Sequence, residues 1–273
     1  MAIQALRLPL TAFACIAAAL SWSSPARAAD DVPQRVVVTA PQPGAREEKT
    51  LAQLLRARDA FDKHHALAPD ATLAFRLYPR LDAHDFERLR LFLVRGDDRI
   101  PVALDERRRF VLDPAWTDAD AGAVLQTNLP DGAVAWKVDV RTPGLPDDER
   151  RLGDLRLECE ADTFRGNLQR GLRTPASAVL DAQGKLCRDD DAQAWFAEWP
   201  IFGVTLVDGA RRQRLAYSYL HGSTGTMALA PLFDWPYHLR DRTYFLPLED
   251  TSWPDDTRVV LDPMDAPQPQ AAP

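Results

Sequence analysis

Long apolar runs are nearly absent from this sequence. Beyond residue 28 no stretch reaches the roughly 20 apolar residues that a membrane-spanning helix needs, so we expect no membrane insertion. The exception is Leu8–Leu20, which follows Arg7 and precedes the small residues of Ala26–Ala28. This order is typical of a secretory signal peptide. It predicts a cleavable peptide over residues 1–28, cut near Ala28, and a periplasmic or secreted mature chain.

Clusters of basic residues are also lacking. The chain has 33 lysines and arginines against 40 aspartates and glutamates, which gives a formal net charge of −7. Loss of the predicted signal peptide removes Arg7 and Arg27 and no acid, so the mature chain carries about −9. An acidic chain with scattered cations has no electrostatic footprint for nucleic acid. For the same reason, binding to anionic membrane surfaces is disfavoured.

Cysteine occurs only three times. Cys15 lies in the predicted signal peptide, which leaves Cys159 and Cys187 in the mature chain. These two are too far apart in sequence for a CxxC redox motif, and no other cysteine accompanies them as a zinc ligand. In an oxidising compartment an isolated pair is most often a disulfide. We predict a bond between Cys159 and Cys187, and no metal site.

Established catalytic motifs are missing as well. The stretch YLHGSTGTM, residues 219–227, has a histidine and a serine two positions apart, but the serine does not lie in a GxSxG elbow. The stretch lacks the lysine of a phosphate-binding loop, and glycines flanking Ser-Thr are typical of a turn. We therefore predict no catalytic residue and no cofactor. The alternative is a hydrolase with a site near His221–Ser223 and Asp234–His238.

Glycine is scarce and proline is common, with 13 and 22 residues respectively. Turns rich in proline and aspartate divide the chain into short apolar runs, which favours strands over long helices. The one predicted helix covers Glu47–His65, where Leu51, Leu54 and Leu55 recur at helical spacing. We predict a mainly β fold, with one or two antiparallel β-sandwich modules and one N-terminal α-helix.

The predicted domains follow the chain in order. After the signal peptide, residues 29–70 hold a strand and the helix, and residues 71–170 form a β-sandwich module. Residues 171–265 form a second β-rich module, and residues 266–273 are a flexible Pro-rich tail. Hairpin turns are predicted at Gly96 and Gly209. Strands are predicted at Arg35–Thr39, Leu73–Arg80, Phe110–Leu112, Ala123–Gln126, Ala133–Arg141 and Leu155–Glu160.

Aromatic residues form the richest constellation in the chain. The segments AWFAEWPIF, residues 194–202, and LFDWPYHLRDRTYF, residues 232–245, hold nine of the 23 phenylalanines, tryptophans and tyrosines. Packing in a core is the favoured interpretation, and Trp235, Tyr237 and His238 are the residues that we expect at the surface. Exposed rings rimmed by charges suit carbohydrate or peptide binding. We therefore predict a non-catalytic binding or interaction module, with a protein or glycan partner in the cell envelope.

Two resemblances accompany these patterns. The hairpin LFLVRGDDRIPVAL followed by FVLDP resembles the small transthyretin-like sandwich of carboxypeptidase regulatory domains. The whole chain, through AFDKHHALAPDATLAFRLYPR and VRTPGLPDDERRLGDLRLEC, resembles a group of uncharacterised exported bacterial β-rich proteins. The second resemblance implies a shared fold and carries no activity with it.

Overall fold

The described part of the chain is mainly β. The computed structural model describes residues 46–79, 83–117, 120, 122–162, 194–220, 239 and 241–264. All of them belong to the compact unit Thr39–Pro273. They form 13 strands in four antiparallel sheets, together with two α-helices. The predicted mainly β class is therefore confirmed, and the sandwich arrangement stays a prediction.

The strands and helices are short. The strands are β1 (Arg46–Thr50), β2 (Thr72–Pro79), β3 (Leu91–Arg95), β4 (Asp98–Val102), β5 (Arg109–Phe110), β6 (Val124–Pro130), β7 (Val134–Arg141), β8 (Glu149–Arg151), β9 (Trp195–Phe196), β10 (Ile201–Asp208), β11 (Arg211–Arg214), β12 (Thr243–Tyr244) and β13 (Arg258–Pro263). The α-helices are α1 (Leu51–His64) and α2 (Leu152–Ala161). Within the described residues, three 3₁₀ turns lie at His65–Leu67, Ala83–Arg88 and Tyr217–Tyr219.

The four sheets have the strand orders β1-β6-β3-β4, β5-β2-β7, β11-β10-β13-β8 and β12-β9. Both predicted hairpins within the described residues are confirmed, since β3 pairs with β4 and β10 with β11. Gly96 and Gly209 in their turns have φ values of 56° and 55°. Glycine suits these positions because it adopts positive φ without a steric cost.

Helix α1 starts later than the helix predicted over Glu47–His65. Glu47 and Glu48 belong to strand β1, where Glu48 pairs with Gln126 of β6. Their assignment to an opening helical turn is therefore wrong, because the ladder with β6 takes up their backbone groups. The helix begins after Thr50, whose hydroxyl accepts a hydrogen bond from the backbone N–H of Gln53 at 3.3 Å.

Two large apolar clusters lie inside the described structure, beside two small ones of three and two buried residues. The first joins α1 to β2, β3, β6 and β7, and the second joins β9, β10, β12 and β13. Helix α2 contributes to both. Leu152, Leu155 and Cys159 pack in the second cluster, whereas Leu157 and Ala161 pack in the first.

This double packing explains why the strand predicted at Leu155–Glu160 is wrong. Leu155 and Cys159 are four residues apart and lie on one face of the helix. Leu157 and Ala161 repeat that spacing two residues later and lie on another face. The two stripes together give an apolar residue at every second position, as in a strand. A helix that is buried on two sides therefore has the sequence pattern of a half-buried strand.

The first turn of α2 is held by backbone contacts. The N–H groups of Leu152 and Gly153 donate to the carbonyls of Thr257 and Asp255, both at 2.8 Å. A Cβ atom at Gly153 would lie 2.2 Å from the carbonyl oxygen of Leu67. Only glycine allows this approach, so the helix start is fixed between two segments that are distant in sequence.

Several predicted features lie outside the described residues. They are the signal peptide, the strand at Arg35–Thr39, the tail 266–273 and the boundary between residues 170 and 171. Strand β8, from the first predicted module, pairs with β13 of the second. Cys159 is fully buried, whereas Cys187 is not among the described residues, so the disulfide stays a prediction.

Candidate functional site

Charged side chains follow one face of strand β7. Along the strand they alternate with the four apolar residues that pack in the first cluster, Val134, Trp136, Val138 and Val140. Lys137 and Asp139 are only 2% and 5% exposed. Burying a charge costs free energy unless the charge is paired and hydrogen-bonded. This face of β7 therefore requires partners from other elements.

Glu198, from the loop between β9 and β10, is the carboxylate on which these contacts converge. Arg76 of β2 donates through Nη1 and Nη2 to its two oxygens, at 2.6 and 2.8 Å. The Nη2 of Arg141 donates to Oε1 at 3.1 Å, and the Nη1 of Arg107 lies 4.0 Å from the same oxygen. Three guanidinium groups thus surround one carboxylate.

Burial and positive charge act on Glu198 in opposite directions. Burial alone would raise the pKa of this carboxyl, but the hydrogen bond from Arg76 and the nearby charges lower it below its ordinary value. The side chains of Arg76 and Glu198 are only 10% and 11% exposed. Glu198 therefore stays ionised at neutral pH in a largely water-shielded position.

A second group of ion pairs centres on Asp139 and shares Arg141 with Glu198. Asp139 accepts a hydrogen bond from the Nε of Arg141 at 2.9 Å and lies 3.5 Å from the Nη1 of Arg109. Deeper still, Arg150 pairs with Glu158 of α2 at 2.9 Å, and burial raises the pKa of Glu158. The charges therefore form a layer between the two apolar clusters.

A cavity of about 280 Å³ opens beside Glu198. We call it the Glu198 cleft and define it by six of its lining residues, Arg76, Tyr78, Phe86, Arg108, Glu198 and Arg242. It lies where the sheet containing β2 and β7 meets the segment between β9 and β10. Residues from five separated parts of the chain therefore contribute to its walls.

Arg242 has no carboxylate partner among the described residues. Its Nη1 donates to the backbone carbonyl of Glu198 at 2.5 Å, and its Nε is buried without a hydrogen-bond partner in that part of the chain. Burial lowers the pKa of Arg242, and the positive charge of Arg76 lowers it further, although Glu198 acts in the opposite direction. A half-buried cation with a spare donor is suited to an anionic ligand.

Arg108 likewise has no carboxylate partner among the described residues. Its guanidinium stacks on the ring of Phe86, 4.9 Å from the centroid, and its Nε donates to the Phe86 carbonyl at 3.4 Å. Its φ of 59° is the only positive value at a non-glycine position within the described chain. Such outliers cost free energy and cluster at functional sites.

A larger cavity, of about 640 Å³, lies beside Trp253 and Arg156. Its only described arginine already donates to Asp255 at 2.5 Å and to the carbonyls of Leu248 and Asp250, both at 3.0 Å. The polar groups of this arginine are therefore used within the protein. Volume alone would favour the Trp253 cavity, but unpaired charge favours the Glu198 cleft.

The predicted binding residues Trp235, Tyr237 and His238 lie outside the described residues, as do His221, Ser223 and Asp234 of the hydrolase alternative. The aromatic residues that are described follow the predicted core placement in part. Phe202 is 57% exposed, and Trp199 is half-buried. Those that are buried are Trp195, Phe196, Tyr244 and Phe245.

Sequence reasoning missed the residues of the Glu198 cleft. Arg76 occupies a polar position in an alternating strand and reads as solvent-exposed. The available signal was Glu198 itself, the only acid in the run AWFAEWPIF. A carboxylate between bulky apolar residues is expected to need a buried cation.

No family model, curated protein or solved structure matches this chain. Within the described ranges, no helix has the length and apolar character needed to span a membrane. Those same ranges hold no group of three or more histidine, cysteine, aspartate or glutamate side chains placed to bind a metal ion.

The ionic layer predicts a loss of stability in acid. Arg141, Arg150 and Arg76 outweigh the effect of burial and lower the pKa of Asp139 to about 2, from 3.8. Its contribution is therefore present above pH 3.8 and is lost as the pH falls towards 2. We expect this carboxyl to account for about 2 kcal/mol of that loss. Urea unfolding between pH 5 and pH 2 measures it.

The control for this prediction is Asp139→Asn. It should be less stable at pH 5 and should lose less stability than the unsubstituted protein as the pH falls. Glu158 opposes the trend, because its raised pKa favours the folded state at low pH. Equal pH slopes in the two proteins would show that Asp139 does not titrate as described.

Proposed function

We propose that this chain is an exported, non-catalytic binding module of the cell envelope whose ligand is an anion held in the Glu198 cleft. The N-terminal signal pattern supports export. The observation that carries the binding proposal is the cation surplus. Four arginines and two carboxylates line the cleft, and two of these arginines, Arg108 and Arg242, have no carboxylate partner among the described residues. We further propose that the sheets pack as antiparallel sandwich modules.

The residue type supports an anionic ligand. A guanidinium group offers a planar fork of N–H donors that matches carboxylate and phosphate oxygens. It keeps its charge when buried, and its hydrogen bonds to an anion are stronger than neutral ones. The chain as a whole has a net charge of −7, whereas the cleft brings together arginines that have no carboxylate partner among the described residues. An anion would neutralise them.

Binding of small anions to the full mature chain tests this proposal. We would titrate the protein with hexanoate, phenyl phosphate and glucuronate by isothermal titration calorimetry. At least one of them should bind, and Arg242→Gln and Arg108→Gln should each weaken that binding about tenfold to a hundredfold. A hydrogen bond to a charged group contributes roughly 1.5–3 kcal/mol, which corresponds to that range.

Arg212→Gln is the matched control. Arg212 lies in the exposed strand β11, so its replacement changes the net charge equally at a distance from the cleft. The affinity of this variant should equal that of the unsubstituted protein. Equal weakening by all three substitutions would show a general charge effect, and an absence of binding by every anion would contradict the proposal.

A further inference from the structure

The walls of the Glu198 cleft are apolar wherever they are not charged. Its uncharged lining residues are Leu77, Tyr78, Pro79, Phe86, Ala197 and Leu239. Of these, Leu77, Phe86, Ala197 and Leu239 are buried. A ligand that reaches past the arginines therefore meets hydrocarbon and aromatic rings.

Two of the lining arginines rest on aromatic rings. Arg76 lies 4.7 Å from the centroid of Tyr78, and Arg108 lies 4.9 Å from that of Phe86. Tyr78 in turn contacts Phe196 of β9, with centroids 5.0 Å apart. Cationic and apolar surfaces are thus adjacent in the same cavity, so one small molecule can contact both.

Neutral hydrogen-bonding groups are scarce in these walls. Among the described lining residues, the phenol of Tyr78 is the only hydroxyl, and there is no amide side chain. The lining arginines donate hydrogen bonds and accept none. Of the two lining carboxylates, Glu198 already accepts from Arg76 and Arg141. This leaves Glu106 as the one free charged acceptor among the described lining residues. The hydroxyl groups of a sugar both donate and accept, so most of them would lose their hydrogen bonds to water without replacement. This lining is therefore poorly suited to a glycan.

The size of the cleft sets a further limit. Drug-sized ligands occupy pockets of roughly 300–1,000 Å³, whereas one water molecule takes about 30 Å³ of liquid. At about 280 Å³ the cleft exceeds the needs of an inorganic ion and admits only a small organic molecule.

We infer that the ligand is a small amphipathic anion, with one carboxylate or phosphate head group carried on an apolar group. This inference rests on the proposed function, since it concerns the same cleft. The head group pairs with Arg108 and Arg242, and the apolar group lies against Tyr78, Phe86 and Leu239. A free organic acid and the C-terminal residue of an apolar peptide share this chemistry.

A series of carboxylates tests the inference on the full mature chain. Acetate, butyrate and hexanoate keep the head group constant and lengthen the apolar group. We expect the affinity to rise roughly threefold to fourfold per methylene, since each buried methylene contributes about 0.8 kcal/mol. Glucuronate and inorganic phosphate should bind no more tightly than acetate. Arg242→Gln should weaken hexanoate binding at least tenfold.

Two further arms distinguish the sources of the ligand. N-acetyl-leucine presents the carboxylate of a peptide C-terminus, and N-acetyl-leucinamide lacks it. N-acetyl-leucine binding more tightly than hexanoate supports a peptide terminus, and the reverse order supports a free acid. Either result agrees with the inference provided that the amide binds at least tenfold more weakly than N-acetyl-leucine. Equal binding of N-acetyl-leucine and its amide would overturn it.

The other outcomes separate this inference from the proposed function. Equal affinities for acetate, butyrate and hexanoate, all weakened by Arg242→Gln, would overturn the amphipathic ligand and leave an anion site. Tighter binding of glucuronate than of hexanoate would overturn it in favour of an acidic sugar. Binding that is unaffected by Arg242→Gln, or no binding at all, would overturn both.

Discussion

Replacing Glu198 with alanine should lower the free energy of unfolding by about 3–5 kcal/mol, the usual cost of removing one partner from a buried ion pair. Arg76 loses both of its side-chain hydrogen bonds, and Arg141 loses one of its two partners. The guanidinium groups of Arg76, Arg141 and Arg107 would then face one another without the intervening carboxylate. Urea unfolding of the mature chain at pH 7 measures the loss.

Glu106 provides the matched control for Glu198. It lines the same cleft but is exposed, so Glu106→Ala should change the stability by less than about 0.5 kcal/mol. Glu198→Gln keeps one carbonyl acceptor for Arg76 and should fall between the two. A loss below 1 kcal/mol for Glu198→Ala would mean that water replaces the carboxylate and that the ion pairs around Glu198 are accessible to solvent.

Replacing Trp136 with alanine should also cost about 3–5 kcal/mol, the usual range for truncating a buried tryptophan. Trp136 of β7 is 1% exposed and meets the ring of Phe110 edge-on, with centroids 6.1 Å apart. Its Nε1 donates to Glu47 at 3.1 Å, and Glu47 is itself only 2% exposed. The substitution therefore creates a cavity and removes a donor from a buried carboxylate.

Two variants separate these contributions for Trp136. Trp136→Phe keeps most of the apolar volume and loses the hydrogen bond, so it should cost less than the alanine variant, at about 1–3 kcal/mol. Trp116, which is half-buried at the edge of the same cluster, gives an indole control, and Trp116→Ala should also cost less than Trp136→Ala. Equal losses for the two alanine variants would contradict the central place of Trp136.

Local features of this fold were predictable from the sequence. Strand β2, strand β7 and the hairpins at Gly96 and Gly209 follow period-two alternation and turn chemistry, which act over a few residues. The assignment of α2 as a strand failed because its pattern reflects two packing partners at once. A single sequence window contains the pattern but does not show how many sides of an element are buried.

The Glu198 cleft was beyond such reasoning for a different reason. Arg76 and Glu198 are 122 positions apart. Arg76 alone reads as an ordinary surface charge, and the apolar neighbours of Glu198 indicate a buried cation without indicating which one it is. Their burial depends on how β2, β7 and the segment after β9 meet, which is a property of the tertiary fold. Local propensity and hydrophobic periodicity carry no information about which distant charge will become a partner.

Helix α2 has a consequence for how this protein can be divided. Its residues are shared, because Leu155 and Cys159 complete one apolar cluster and Leu157 and Ala161 complete the other. If the chain were cut just before or just after α2, the fragment that kept the helix would expose one of its apolar faces to water. The other fragment would expose the cluster that the helix had covered. We therefore expect the two apolar clusters to unfold together. We expect insertions to be tolerated in exposed turns such as the one at Gly96, where no atom lies within 4 Å of an added Cβ.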